Sequence, residues 1–303
     1  MKIIKLLAIN LFIAISLFFI IDYCVFCKQT TALGCDISYF QNMTKKLGSI
    51  NAARDYVFNL SPHRKPLNEQ NNLKSIILTG CSFIYGEGLK EEEILSYGLS
   101  ELMKNPVYNF ASLGWGLNHT LFLLESGIIS QNIKQKPAVF IYTYADFHIL
   151  RMTMPNMMFE TTEILYKLDN GKLTLKTRPF VISRFSSLSL LREKTFEYFK
   201  NNNKQYRNYL KLLLKQHFIQ MKQYIDKNFE NTKFIILVYF ESPIFEEIAK
   251  DLEKENIIIV RIKEDYGYNL KEQQYLLPDG HPNAKVWKLV TPKLYKTLSE
   301  YGI

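Results

Sequence analysis

The chain has 303 residues, 47% of them hydrophobic, which is enough to bury a substantial core and excludes an intrinsically disordered polypeptide. Its 38 Lys and Arg against 29 Asp and Glu give a formal charge of +9, yet the basic residues are scattered from Lys28 to Lys296 rather than gathered into one block. A basic surface favours anionic glycans, membrane surfaces or nucleic acid, but no zinc finger, RNA-recognition signature or basic helix with heptads accompanies it, so no nucleic-acid partner is expected.

The first residues give an address. Lys2 and Lys5 precede the run LLAINLFIAISLFFII, Leu6 to Ile21, whose only polar residues are Asn10 and Ser16. With Ile3 and Ile4 it approaches the roughly 20 residues that a membrane-spanning helix needs. It also exceeds the ~7–15 residue core of a cleavable signal peptide, and Asp22-Tyr23-Cys24 follows where a small-x-small cleavage site would stand. Residues 1–23 are therefore expected to be an uncleaved signal anchor. Lysines before it and only Lys28 in the next twenty residues predict the N-terminus in the cytoplasm and the remainder outside, in the periplasm or its equivalent. Cys24, Cys27 and Cys35 then crowd the membrane exit, where a disulfide is chemically allowed; the C-x-x-C pair has no second pair to complete a zinc site.

Residues 24–72 read as a juxtamembrane segment and linker, ending in the proline-containing SPHRKPLNEQNN of 61–72. The folded domain is expected to span 73–303. In it SIILTG, VYNFAS, AVFIYTY, KFIILVYF and NIIIVRI are short, β-branched or aromatic runs separated by helix-length segments. Near-continuous apolarity predicts strands buried on both faces, hence an α/β fold with three layers and a mainly parallel central sheet. An insertion at about 151–230 interrupts the alternation. In it Asp169-Asn170-Gly171 predicts a hairpin turn, and Leu210, Leu213, Leu214, His217, Met221, Tyr224 and Ile225 recur at helical spacing. His217 falls on that apolar stripe, which points to packing rather than catalysis. The Met-rich RMTMPNMMFE of 151–160 reads as either a lid or gap-filling core, and Trp115 and Trp287 as packing or pocket-wall aromatics.

Ser82 in GCSFIYGEGL follows the first strand at its carboxyl end, where α/β sheets bind ligands. A hydroxyl there can serve as a nucleophile or, more simply, as the N-cap of the next helix. Near the other terminus, LLPDGHPN places Asp279 and His281 in one Pro/Gly loop. An imidazole can take the proton from a serine hydroxyl, and a carboxylate can hold that imidazole in the required tautomer. By itself Asp279-Gly280-His281 also reads as an ordinary Asx turn.

Taken together, these two blocks resemble the SGNH (GDSL-like) hydrolase family. Ser82, Phe83, Gly86 and Gly88 match its first block, with Cys81 where the family usually has Asp. Asp279 and His281 followed by Pro282 match its last, with the shorter Asp-x-His spacing of the branch resembling envelope polysaccharide acetyltransferases. The resemblance implies a flavodoxin-like three-layer α/β/α domain with Ser82 as nucleophile, His281 as base and Asp279 as its orienting partner. It further implies an oxyanion hole from the backbone of Ser82 and of NFASLGWGLN, through Gly114 or Gly116, with Asn118 nearby. The family's third block ordinarily carries an Asn that hydrogen-bonds the oxyanion, but here the chain reads Tyr144-Ala145-Asp146-Phe147-His148. Either activity is lower for want of that donor, or Asn118 serves instead. Asp146, His148 and Arg151 are expected to be a substrate-side or supporting cluster, with the Asp146–His148 pair as a rival catalytic couple. No metal or organic cofactor is expected. The implied activity is that of a membrane-anchored extracytoplasmic serine esterase or O-acyltransferase acting on acyl, foremost acetyl, esters of an envelope glycan. The alternative is an inactive protein of this fold that binds or scaffolds the polysaccharide.

Overall fold

The computed structural model describes residues 74–153, 163–178 and 186–303. The proposed anchor, the linker, the three N-terminal cysteines and most of the Met-rich stretch lie outside these residues. Seven strands are described: β1 Ser75–Thr79, β2 Val107–Asn109, β3 Pro137–Tyr144, β4 Glu163–Asp169, β5 Lys172–Arg178, β6 Lys233–Val238 and β7 Ile257–Arg261. Ten helices accompany them: α1 Ser82–Tyr85, α2 Leu95–Met103, α3 Leu117–Glu125, α4 Ile128–Asn132, α5 His148–Thr153, α6 Ser186–Asn202, α7 Lys204–Asn228, α8 Pro243–Lys254, α9 Ile262–Tyr266 and α10 Ala284–Glu300.

The five apolar runs form one sheet in the order β2-β1-β3-β6-β7, parallel at every pairing. Their composition explains why: all eight residues of β3 are buried, so this strand must be covered on both faces. Alternation then divides the core. Val139 and Ile141 point into a layer with Leu99, Trp287, Val290 and Leu294 of α2 and α10. Phe140, Tyr142 and Tyr144 point into the other, with Leu121 of α3, Phe218 of α7 and Phe245 of α8. Each such side chain contributes about 1.5–3 kcal/mol on burial. The result is the expected three-layer α/β fold.

This strand order reverses between β1 and β3, and ligands of such sheets bind beyond the carboxyl strand ends at that reversal. Ser82 leaves β1 there, and Asp146 to Arg151 leave β3 beside it. The insertion folds as a separate antiparallel hairpin, β4–β5, plus helices α6 and α7. Asn170 (φ 47°) and Gly171 (φ 78°) both adopt the left-handed conformation that a two-residue hairpin turn requires. Ile164, Tyr166 and Leu173 anchor the hairpin in the core, and Tyr166 donates to Glu125 of α3 at 2.6 Å.

Candidate active site

The turn after β1 is built to present a side chain. Gly80 has φ 148°, and a Cβ there would lie 3.3 Å from the Thr143 carbonyl of β3. Cys81 takes the capping position of α1, so Ser82 is the first helical residue and its hydroxyl makes no cap bond. The simple N-cap reading is thereby replaced by a different contact: Ser82 Oγ lies 2.9 Å from His281 Nε2, across 199 residues of sequence. Ser82 is only 4% exposed, so the hydroxyl faces the protein.

His281 arrives on a loop pinned at both ends. Leu277 N–H donates to the His281 carbonyl at 2.7 Å, and Asn283 caps α10 by accepting from Lys285 N–H at 3.1 Å. Asp279 does two things. Its Oδ1 accepts the His281 backbone N–H at 3.1 Å, which is the Asx turn, while its Oδ2 stands 3.2 Å from His281 Nδ1. The second contact is an approach of charge to ring rather than a formed hydrogen bond, since Nδ1 has no aligned acceptor. The backbone N–H of His281, opposed by slight desolvation and helped by the imidazole's charge, holds the Asp279 carboxyl below its usual range.

A second carboxylate enters unannounced by the motif. Glu87 Oε2 lies 3.1 Å from Nε2, the same nitrogen that meets Ser82. Gly86 (φ 82°) ends α1 in the left-handed conformation, and Glu87 N–H bonds back to the Ser82 carbonyl at 3.1 Å, so the chain returns to the serine. A Cβ on Gly88 would sit 2.8 Å from Leu277, so the first and last blocks are in direct contact. Phe83 packs edge-on to the His281 ring at 5.5 Å and to Phe240 at 6.0 Å. Phe240 also lines a cavity of about 390 Å³ beyond β6 and β7, with Tyr239, Glu241, Ser242, Tyr268, Asn269 and Lys271 among its walls.

The expected oxyanion donors separate. Gly114 (φ 75°) turns the chain after β2. Gly116 N–H is directed to His119 Nδ1 at 3.3 Å. Asn118 is not an available stand-in for the missing Asn: its amide nitrogen donates to the carbonyls of Arg151 and Met152, both at 3.3 Å, and its oxygen faces His217 Nε2 at 2.7 Å. Both N–H groups are thus committed to the backbone of α5. His217 is fully buried, with Nδ1 2.8 Å from the Leu213 carbonyl. Burial pushes its pKa down to about 4, against the pull of that carbonyl. A neutral ring therefore leaves one of its two facing acceptors without a proton.

Asp146 and His148 do not form the rival couple. Asp146 Oδ2 is 3.7 Å from Lys200 Nζ of α6, and its other oxygen is buried with no hydrogen bond. His148 is fully buried, with Nδ1 2.8 Å from the Tyr142 hydroxyl. Burial first, then the charge of Arg151, drives its pKa well below the imidazole range, so it stays neutral. Arg151 is the member of this cluster that approaches the loop after β2: its Nη1 donates to the Trp115 carbonyl at 2.7 Å, and its charge pulls the pKa of the nearby Cys81 thiol down. Burial nonetheless dominates at Cys81 and pushes that thiol up. Among the described residues no group of His, Cys, Asp and Glu could hold a metal ion.

No family model matches the sequence, and no curated protein matches it. Solved structures similar to the chain include TesA, at 16% identity and a TM-score of 0.43, covering 74% of this chain and 98% of that one. An acetyl xylan esterase, Est2A, from the rumen bacterium Butyrivibrio proteoclasticus is similar at 9% identity and a TM-score of 0.47, over 75% of this chain and 64% of that one. A member of the lipolytic protein G-D-S-L family from Veillonella parvula is similar at 10% identity and a TM-score of 0.45, over 75% and 98%.

Proposed function

We propose that the protein is a membrane-anchored extracytoplasmic serine esterase or O-acyltransferase acting on acyl, foremost acetyl, esters of an envelope glycan. The observation that carries this reading is the 2.9 Å approach of Ser82 Oγ to His281 Nε2, with Asp279 Oδ2 3.2 Å from the opposite ring nitrogen. In the proposed reaction His281 takes the Ser82 proton as Oγ attacks the ester carbonyl. The tetrahedral intermediate collapses as Nε2–H protonates the departing alcohol. Water, or a sugar hydroxyl, then gives up its proton to His281 and releases the acyl group. Asp279 orients the imidazole, and the backbone N–H of Ser82 is offered to the oxyanion, the Gly116 N–H being taken by His119. The glycan reading draws on the cavity beyond Phe240, whose mix of aromatic, carboxylate and amide walls suits a ring bearing hydroxyls. The envelope address draws on the apolar run at 6–21.

A specific observation favours the inactive alternative: the contact between His281 Nδ1 and Asp279 is off-line, so the imidazole is held less firmly than in a buried triad. A single assay separates the two. The purified protein is expected to turn over a short acyl ester, with Ser82→Ala and His281→Ala each reduced by at least about 10³-fold. Equal turnover by all three would end the enzyme reading, and salt-sensitive glycan binding without turnover would support the scaffold.

A further inference from the structure

We infer that Arg151 is a further catalytic residue, its guanidinium supplying the charge that stabilises the oxyanion in place of the absent third-block Asn. The inference rests on the esterase or acyltransferase reading above and deepens it. Three contacts define the position. Arg151 Nη1 donates to the carbonyl of Trp115, which sits between Gly114 and Gly116. The guanidinium is near enough to Cys81, the residue before Ser82, for its charge to pull that thiol's pKa down. The stem runs against Gly116, where an added Cβ would stand 3.4 Å from Arg151 Cβ and 3.7 Å from Cδ. The cation is therefore set between the Trp115 loop and the turn at Cys81 that carries Ser82. Gly116 is the residue that leaves it room.

Its charge is not neutralised by other means. Among the described residues no carboxylate pairs with Arg151, and Asp146, the nearest in sequence on the same turn, faces Lys200 instead. The Phe147 ring lies 4.5 Å from Arg151 Cζ and holds the plane of the fork. A guanidinium carries five N–H donors, and the contact with Trp115 occupies one nitrogen. When Ser82 Oγ bonds to the ester carbon, the carbonyl π pair moves onto oxygen as the Oγ proton passes to His281 Nε2. The new negative charge forms beside Cys81 and the Trp115 loop. A full positive charge in this half-buried cleft does there what a neutral amide would do, and Asn118 cannot, because both its N–H groups are tied to α5. On collapse the pair returns to the carbonyl, the ester C–O bond breaks, and Nε2–H passes its proton to the leaving alcohol.

The test compares the full-length protein with Arg151→Met, which keeps the stem and removes the charge, in steady-state hydrolysis of a short neutral acyl ester. Loss of an oxyanion donor is worth about 10²–10³-fold in kcat, and that fall is expected with KM changed by less than about threefold. Methylguanidinium added to Arg151→Ala is expected to restore at least a tenth of the lost kcat. A kcat within threefold of wild type in Arg151→Met would overturn the inference, as would an effect confined to KM or a complete failure of rescue. Near-UV circular dichroism checks folding; if Arg151→Met is unfolded, Arg151→Leu is held to the same criteria. A wild type that turns over no ester would instead overturn the functional reading itself, whereas with an active wild type and a dead Ser82→Ala the Arg151 result decides this inference alone.

Discussion

Asp279 shows how far one side chain can serve two readings. Its Oδ1 closes an Asx turn and its Oδ2 faces the imidazole, yet 56% of the side chain is open to solvent. Water screens a carboxylate so placed, so Asp279→Asn is expected to lower kcat by about 10–10²-fold, well short of the ~10⁴-fold seen where a triad carboxylate is buried. Because its folded pKa is depressed, the carboxylate stays ionised above the ordinary value and is protonated only as pH falls through the lower, folded one. The wild-type rate should therefore show no break from this group between pH 5 and pH 8 in a kcat profile. Glu87 teaches the complementary lesson. It lies in a block read for its glycines, and the signal that could have found it is the left-handed Gly86, which turns the chain back so that residue 87 faces residue 82.

At the scale of elements, α7 of the insertion is joined to α3 through His217 and Asn118, and α3 to α5 through Asn118 and the carbonyls of residues 151 and 152. This relay holds Arg151's helix in place from behind. His217 has an unperturbed value near 6.5 and a folded value of about 4, so the unfolded chain binds its proton first as pH falls. Its neutral form contributes stability that is complete above pH 6.5 and is lost progressively down to pH 4, about 3 kcal/mol in all. His148 works in the same direction. Urea unfolding of His217→Gln is expected to show that much less acid destabilisation between pH 7 and pH 4 than wild type. An unchanged pH slope would mean that His217 titrates alike in the folded and unfolded chain, and greater acid destabilisation of the variant would mean that the folded ring holds a proton for both of its acceptors.

For the whole molecule, the proposed anchor makes a topological claim: protease added outside intact cells is expected to digest residues 73–303, and full protection would reverse the orientation or remove the anchor. The strand runs were legible because each is a local cluster of β-branched and aromatic residues that only burial on both faces satisfies. The hairpin was legible because Asn-Gly at its tip tolerates the left-handed conformations found there. The two motif blocks were legible as loops after or before regular elements. Less could be read where a polar residue had several conceivable partners. Asn118, Asp146 and His148 have the chemistry of a site, but their neighbours come from α5, α6, α7 and β3, which no local pattern brings together.

Composition and periodicity alone thus determined the class of fold and its layers, because these depend on interactions among residues close in the chain, whereas the short list of candidate site residues came from the resemblance of two motif blocks. Only the tertiary structure decided that Ser82 and His281 meet at a separation of 199 positions, that the Asn118 amide is tied to a helix backbone, and that Arg151 is bonded to the Trp115 carbonyl while Asp146 faces Lys200 and His148 faces Tyr142. The physical reason is that strand order and crossover packing set which loops share the reversal between β1 and β3, and these are global outcomes of burying both faces of the sheet at once.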